Sequence, residues 1–492
     1  MLSLTIFLPL LTGLAVLFVP SGQGQLIRRL ALVGSLLTFA ASLILWVGFD
    51  PSNGALQWRT TLAWIPSIGA SFDIGVDGLS LPLIVLTALL LALTMVYVLP
   101  ERNRAKEHAF LFLLMGTGLI GLFAAQDLLL FYLFFEVGLV PMYFIVGIWG
   151  GENRRYAALK FFLYTRAGSL AMLLSFLALY LATDPRTFSL PDIVAAQPFV
   201  GSSAAFWVLF GLLLGFGVKL PTVPLHNWLP DAHVEAPTEG SVMLAGIQLK
   251  MGAYGLLRIM IPTLPEAVQQ YAWLLLALAL VSLVYGALAA LAQQDLKRLV
   301  AYTSVNHMGY VLLGVAVWGL TRDPTVRELA LNGAVLQMLS HGLLTGGMFF
   351  MVGILQHQTG TRELAHFGGL LGKLPRFSLL LGLFAFGSLG LPGLSGFVAE
   401  FQVLAATLSV NVWLAVLVVF GLIVSTGVYL VVLNGVLMGS TPEALPPVTD
   451  LGPRELAAVV PLALLALALG LLPGPFLRVF EGTVQLLARI GL

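Results

Sequence analysis

Long apolar runs recur along the chain, separated by short polar or charged stretches. A helix needs about 20 apolar residues to cross roughly 30 Å of hydrocarbon. On that rule the chain holds about fourteen spans, near 3–20, 27–48, 79–98, 109–125, 128–148, 158–182, 204–229, 238–261, 271–292, 298–319, 329–355, 376–407, 412–437 and 455–475. Spans 7 and 12 are too long for one straight helix. Pro221 and Pro224 interrupt the seventh, and Leu391-Pro392-Gly393-Leu394-Ser395-Gly396 interrupts the twelfth. A break frees backbone groups, which survive in a membrane only where buried in protein or lining a watery cavity. Met1 to Pro20 reads as a retained first span, because no Lys or Arg precedes Arg28 and Ser21-Gly22-Gln23-Gly24 is a polar turn. Residues 477–492 are short and amphipathic and are expected to lie on the outer membrane surface.

Composition agrees with this pattern. Of 492 residues 59% are hydrophobic and 10% charged, with a mean hydropathy of +0.97. Soluble proteins carry about 25% charged residues, so this chain could not cover a water-facing surface. With 24 Lys+Arg against 23 Asp+Glu, the net charge of +1 gives no basic footprint for nucleic acid. The absence of cysteine excludes disulfides, thiolate metal sites, iron–sulfur ligation by this chain and a cysteine nucleophile. Phosphate-cradling loops, nucleophile elbows and dinucleotide fingerprints are also missing. The fold class is an all-α polytopic membrane protein.

Lys and Arg set the orientation. With the N-terminus outside, the inner side receives Arg28, Arg29, Arg102, Arg104, Lys106, Arg154, Arg155, Lys160, Lys297, Arg298, Arg362, Lys373, Arg376 and Arg454. The outer side receives Arg59, Arg186, Arg322, Arg327, Arg478 and Arg489. Both termini are therefore expected outside, with Arg166 and Arg258 near span ends. The broken spans lie five apart, so spans 4–8 and 9–13 read as two copies of one five-helix unit with its fourth helix broken. Five is odd, which makes the second copy inverted, as in transporters that work at the midplane. The chain then divides into three N-terminal helices (1–106), a first repeat (107–262), a second repeat (263–440), and a last helix with its amphipathic tail (441–492).

A charge at the bilayer centre is costly, so an ionisable residue there is a functional candidate. Deep within spans lie Glu136, Lys219, Lys250 and Glu400, with His307 and His341. Glu136 is nine residues past the turn at Asp127, roughly 13 Å deep. Lys219 precedes the break at Pro221, and Glu400 follows the break in span 12. A structural ion pair between Glu136 and Lys219 would fix helix packing, but it does not explain charges beside two broken helices. Proton transfer does, since burial and a movable partner can shift a lysine or carboxylate between its two states. Changing the Glu136–Lys219 distance would load and unload a proton. The histidines titrate in a range suited to a relay between Lys250 and Glu400. His226 and His233, with Asp231 and Glu235, outline a metal site only loosely, because their spacing crosses Pro230 and no third ligand follows. That segment reads as the connection between spans 7 and 8. The run Phe131-Tyr132-Leu133-Phe134-Phe135 reads as lipid-facing or packing.

Several longer motifs resemble one family. Asp127-Leu128-Leu129-Leu130-Phe131-Tyr132 to Phe135-Glu136, Lys219-Leu220-Pro221, and His226-Asn227-Trp228-Leu229-Pro230-Asp231-Ala232-His233 are similar to the antiporter-like subunits of respiratory complex I. So are Leu249-Lys250-Met251-Gly252 and Asp295-Leu296-Lys297-Arg298 with His307. The match runs from about residue 75 to 440. Multisubunit cation/proton antiporters and membrane-bound hydrogenases share much of it and are the alternative. A glutamate in span 12, Glu400, resembles the chain-M type, and the length leaves no room for the long lateral helix of the chain-L type.

The resemblance implies a proton-translocating membrane-arm subunit of NADH:quinone oxidoreductase, with two half-channels joined at mid-membrane. It assigns Glu136, Lys219, Lys250 and Glu400 to the proton path. It places no cofactor or metal in this chain and expects NADH, FMN, iron–sulfur clusters and quinone in partner subunits. The partners it implies are the other membrane-arm subunits, including further antiporter-like chains, and lipid. The implied location is a prokaryotic inner (plasma) membrane.

Overall fold

The computed structural model describes residues 1–98 and 103–492; Arg102, assigned above to the inner side, lies outside the described residues. Among these, eleven single helices are long and apolar enough to cross a membrane, from Gly24–Val47 to Pro453–Leu471. The remaining predicted spans are the apolar helix Leu2–Phe18 and two broken ones. Span 7 is Ala205–Lys219 followed, after a turn, by Trp228–Glu235. Span 12 is Pro375–Ser388 followed by Ser395–Val410. All fourteen spans are accounted for.

Helix starts follow from local sequence. Asp127 caps span 5 (Leu128–Trp149), accepting from the Leu129 and Leu130 N–H groups at 2.9 and 3.0 Å. Its second oxygen accepts from Ser71 N–H at 2.9 Å. Burial still pushes this carboxyl above its ordinary range. Asp295 caps span 10 (Leu296–Leu320) through Arg298 N–H at 3.0 Å. Such caps satisfy N–H groups that a helix start leaves orphaned.

The spans differ in what surrounds them. The apolar windows of spans 8 (Thr238–Thr263), 10 and 11 (Pro324–Thr359) are 94%, 94% and 100% buried, whereas those of span 6 (Arg154–Ala182) and span 13 (Val412–Leu437) are 39% buried. Spans 8, 10 and 11 therefore form the protein-lined centre, where a charge can find polar company. Gly252 permits a close backbone approach there. A Cβ on it would lie 2.3 Å from Phe216 O and 2.7 Å from Leu220 N, so spans 7 and 8 touch backbone to backbone beside Lys219.

One feature departs from the all-helical expectation. Gln57–Ile65 and Ala70–Val76 form an antiparallel hairpin between spans 2 and 3. Its turn needs Gly69, whose φ is +66°, and Arg59 grips Asp73 through two bonds of 3.0 and 2.7 Å. The C-terminal segment is the helix Pro473–Arg489, docked by Phe480, Val484 and Leu487. Trp318 Nε1 donates to Leu487 O at 3.0 Å. Arg327, fully buried, donates to Ala488 O and Ile490 O at 3.1 and 2.8 Å and to Trp318 O and Thr321 O at 3.0 and 2.8 Å.

Candidate functional site

Glu136 lies on span 5 and is only partly buried. Its Oε2 forms an ion pair of 2.6 Å with Arg166 of span 6. Both line an open groove of about 590 Å³ on the flank of the molecule. Lys219 is the last residue of the first half of span 7 and is fully buried. Its Nζ makes no hydrogen bond within the protein. It lies 5.0 Å from the Phe161 ring centre and 5.6 Å from that of Phe135. Aromatic faces attract an ammonium ion, so Phe135 shelters Lys219 as well as packing. Glu136 and Lys219 make no direct contact, and the electrostatic influence of Glu136 reaches Lys219 through space. A direct Glu136–Lys219 pair is thus absent here, because Arg166 holds the carboxylate.

Arg166 is not at a span end. Glu136 stands thirteen residues before Trp149, and Arg166 twelve residues after Arg154. Counted from the intervening turn, the two have the same depth.

Lys250 is fully buried in span 8, between π-helical turns at Leu244–Gln248 and Leu256–Met260. A π turn widens the helix and loosens its bonding. Lys250 Nζ donates to Ala245 O at 2.5 Å and lies 2.7 Å from His341 Nδ1 on span 11. The His341 and His307 rings are 5.8 Å apart centre to centre. His307, on span 10, has Nδ1 2.9 Å from Glu400 Oε1 and Nε2 3.1 Å from the Tyr429 hydroxyl. Gln337 Nε2 donates to Glu400 Oε1 at 3.3 Å.

The break in span 12 shapes this end. Gly390 has φ +83°, and the place of a Cβ on it is 3.3 Å from Glu400 Oε2. A side chain there would be strained and would crowd the carboxylate. Ser340 Oγ donates to Ser395 Oγ at 2.8 Å, tying span 11 to the second half of span 12. His307, Gln337, Ser340, His341, Ser388 and Glu400 surround a cavity of about 10 Å³, roughly what one water molecule occupies.

Of the six candidate residues, the structure therefore joins four, Lys250–His341–His307–Glu400, into one line, and leaves Glu136 and Lys219 near it but not bonded to it. Sequence reading missed Arg166, Gln337 and Tyr429. It also missed the buried pair His108–Glu239, 3.0 Å apart, and the burial of Lys297, whose Nζ donates to Ala236 O at 2.9 Å. The depth count from the 150–153 turn would have found Arg166. His233 stacks on Phe349 at 4.4 Å, while His226 faces Tyr285 at 5.1 Å. Among the described residues no group of three or more His, Cys, Asp or Glu could hold a metal.

Fourteen spans, two of them broken, around a buried line of Lys, His and Glu define an antiporter-like membrane protein. Residues 125–426 match the family model described as NADH:quinone oxidoreductase/Mrp antiporter, TM. NADH-quinone oxidoreductase subunit M of Rhodobacter capsulatus is 41% identical over 96% of this chain and 93% of its own length. The F(420)H(2) dehydrogenase subunit M of Methanosarcina mazei is 38% identical over 99% of each chain. A chain of respiratory complex I from Thermus thermophilus, solved with bound NADH, superposes with a TM-score of 0.89 at 32% identity over 99% of both chains. The chain belongs to the NADH:quinone oxidoreductase/Mrp antiporter transmembrane family, in its subunit M branch. It is an antiporter-like membrane subunit of a translocase complex.

Proposed function

We propose that this subunit moves protons along the line Lys250–His341–His307–Glu400, loaded from Lys219 under the control of Glu136. The observation that supports this most is the line of side chains across spans 8, 11, 10 and 12, with contacts of 2.7 and 2.9 Å at its ends and, between them, the His341 and His307 rings 5.8 Å apart beside a cavity of about 10 Å³. Every member can gain and lose a proton, and each is buried in protein away from lipid. Charges confined to the interior of a membrane protein usually mark an ion pathway. The breaks in spans 7 and 12 stand beside Lys219 and Glu400, where freed backbone needs a watery lining. In this reading spans 4–8 and 9–13 are inverted repeats, each supplying one half-channel.

The Lys/Arg-rich face is the inner one and both termini lie outside, in a prokaryotic inner membrane. The chain performs no redox chemistry; NADH, FMN, iron–sulfur and quinone chemistry is carried by partner subunits. Further antiporter-like subunits are its neighbours in the membrane arm.

The experiment is Lys250→Met in the assembled complex, reconstituted in vesicles. Proton pumping should fall by about tenfold or more with the subunit still incorporated, as expected when a proton-transfer group is removed. Pumping at the unmodified rate would overturn the reading. Purification in mild detergent tests the assembly. Recovery with flavin- and iron–sulfur-containing subunits supports it, and recovery only with small cation-antiporter subunits contradicts it.

A further inference from the structure

We propose that His233 is the proton-uptake relay between the Lys/Arg-rich face and Lys250. This rests on the proposed axis and adds the route by which a proton from the inner face reaches Lys250, in series with the control exerted by Glu136 and Lys219. A cavity of about 260 Å³ at that face is lined by Glu235, Glu239, Lys297, His357 and Arg362, among others. Its inner wall holds Glu239, paired with His108, and Lys297.

His233 lies behind that wall. Its side chain has no exposure, and neither ring nitrogen makes a hydrogen bond within the protein. It is within electrostatic reach of Lys297 and Lys250, and of His341. It belongs to Trp228–Glu235, the second half of broken span 7, and the hydroxyl of Ser241 on span 8 donates to its backbone carbonyl at 3.2 Å. The ring lies flat against Phe349, with planes 13° apart. Phe349 is on span 11, eight residues from His341, about 12 Å along the helix. His233 thus stands between the cavity wall and the Lys250–His341 pair.

A phenyl ring would stack on Phe349 equally well without burying two unpaired nitrogens, which costs stability. An imidazole adds something a phenyl ring cannot. It accepts a proton on one ring nitrogen and releases the other nitrogen's proton, so that one enters and one leaves with no net change. Glu239 and Lys297 would deliver that proton from the cavity, and Lys250 would take it on the far side, each through hydrogen-bonded water.

The test is His233→Phe in the complete complex, in vesicles, beside Lys250→Met. The proposal expects His233→Phe to assemble with unchanged or raised thermal stability, yet to lose roughly tenfold or more in coupled pumping. A packing role predicts normal pumping. Normal pumping by His233→Phe with Lys250→Met inactive would overturn the relay and leave the axis standing. Normal pumping by both variants would overturn the axis itself, and the relay with it. Should His233→Phe not assemble, His233→Gln, which is polar and does not titrate, is read by the same outcomes.

Discussion

Glu136 bonds Arg166, at 2.6 Å, and not Lys219. The carboxylate therefore stands between two cations, one bonded and partly exposed, the other buried and without a hydrogen bond. An ion pair that can be exchanged between two partners is a switch, because an approaching carboxylate favours the charged form of the lysine.

Glu136→Gln should cut pumping severely while leaving assembly intact, because the amide keeps the shape and removes the charge. Arg166→Met should also impair pumping, by several-fold, since a carboxylate released from Arg166 stays with Lys219 and holds its proton. Both are read as pumping by the assembled complex. Normal pumping in the two variants would reduce the pair to a packing contact.

Glu400→Gln should impair turnover, and Glu400→Asp should retain part of it. Aspartate keeps a titrating carboxylate, set back by one methylene from His307 Nδ1. Equal behaviour of the two would mean that charge at this position is not what matters, and that the break in span 12 is structural.

Gly252→Ala should destabilise the subunit by about 1–3 kcal/mol, the usual cost of overpacking a tight core. The new Cβ would meet Phe216 O at 2.3 Å, with backbone on both sides and no flexible side chain to yield. Thermal loss of the subunit from the purified complex measures this. Wild-type stability would show that spans 7 and 8 can separate freely at Lys219.

Most of the architecture was legible because membrane spans announce themselves by length and apolarity. The breaks were legible because proline and glycine have defined backbone consequences. What escaped depended on contacts between distant segments. Arg166 was misplaced because span 6 has 29 residues, about 44 Å of helix, so distance from the sequence-drawn end misjudged its depth. The hairpin Gln57–Ile65 with Ala70–Val76 carries alternating aromatic, β-branched and polar residues, a short strand signal that a search for 20-residue spans passes over. Lys297 read as an inner-side charge and Glu239 sits at the very start of span 8, so neither stood out, and only the packing of spans 8, 10 and 11 buries them. The π turns around Lys250 have no composition of their own. The line from Lys250 to Glu400 was half legible: its members were found by their improbable burial and the histidines placed between its ends, but which histidine meets which end follows only from the contacts.

The most direct measurement is proton pumping by the complex carrying Lys219→Arg, with NADH oxidation followed in parallel and Lys219→Ala beside it. Between the rings of Phe135 and Phe161 an arginine would keep the charge and the aromatic contact. It would not release a proton, because the guanidinium stays charged in proteins whereas a buried lysine can titrate. A structural cation tolerates the exchange; a proton carrier does not. The account predicts that Lys219→Arg is nearly as damaging as Lys219→Ala. Full pumping by Lys219→Arg, with Lys219→Ala inactive, would contradict it and move the loading step to Lys250.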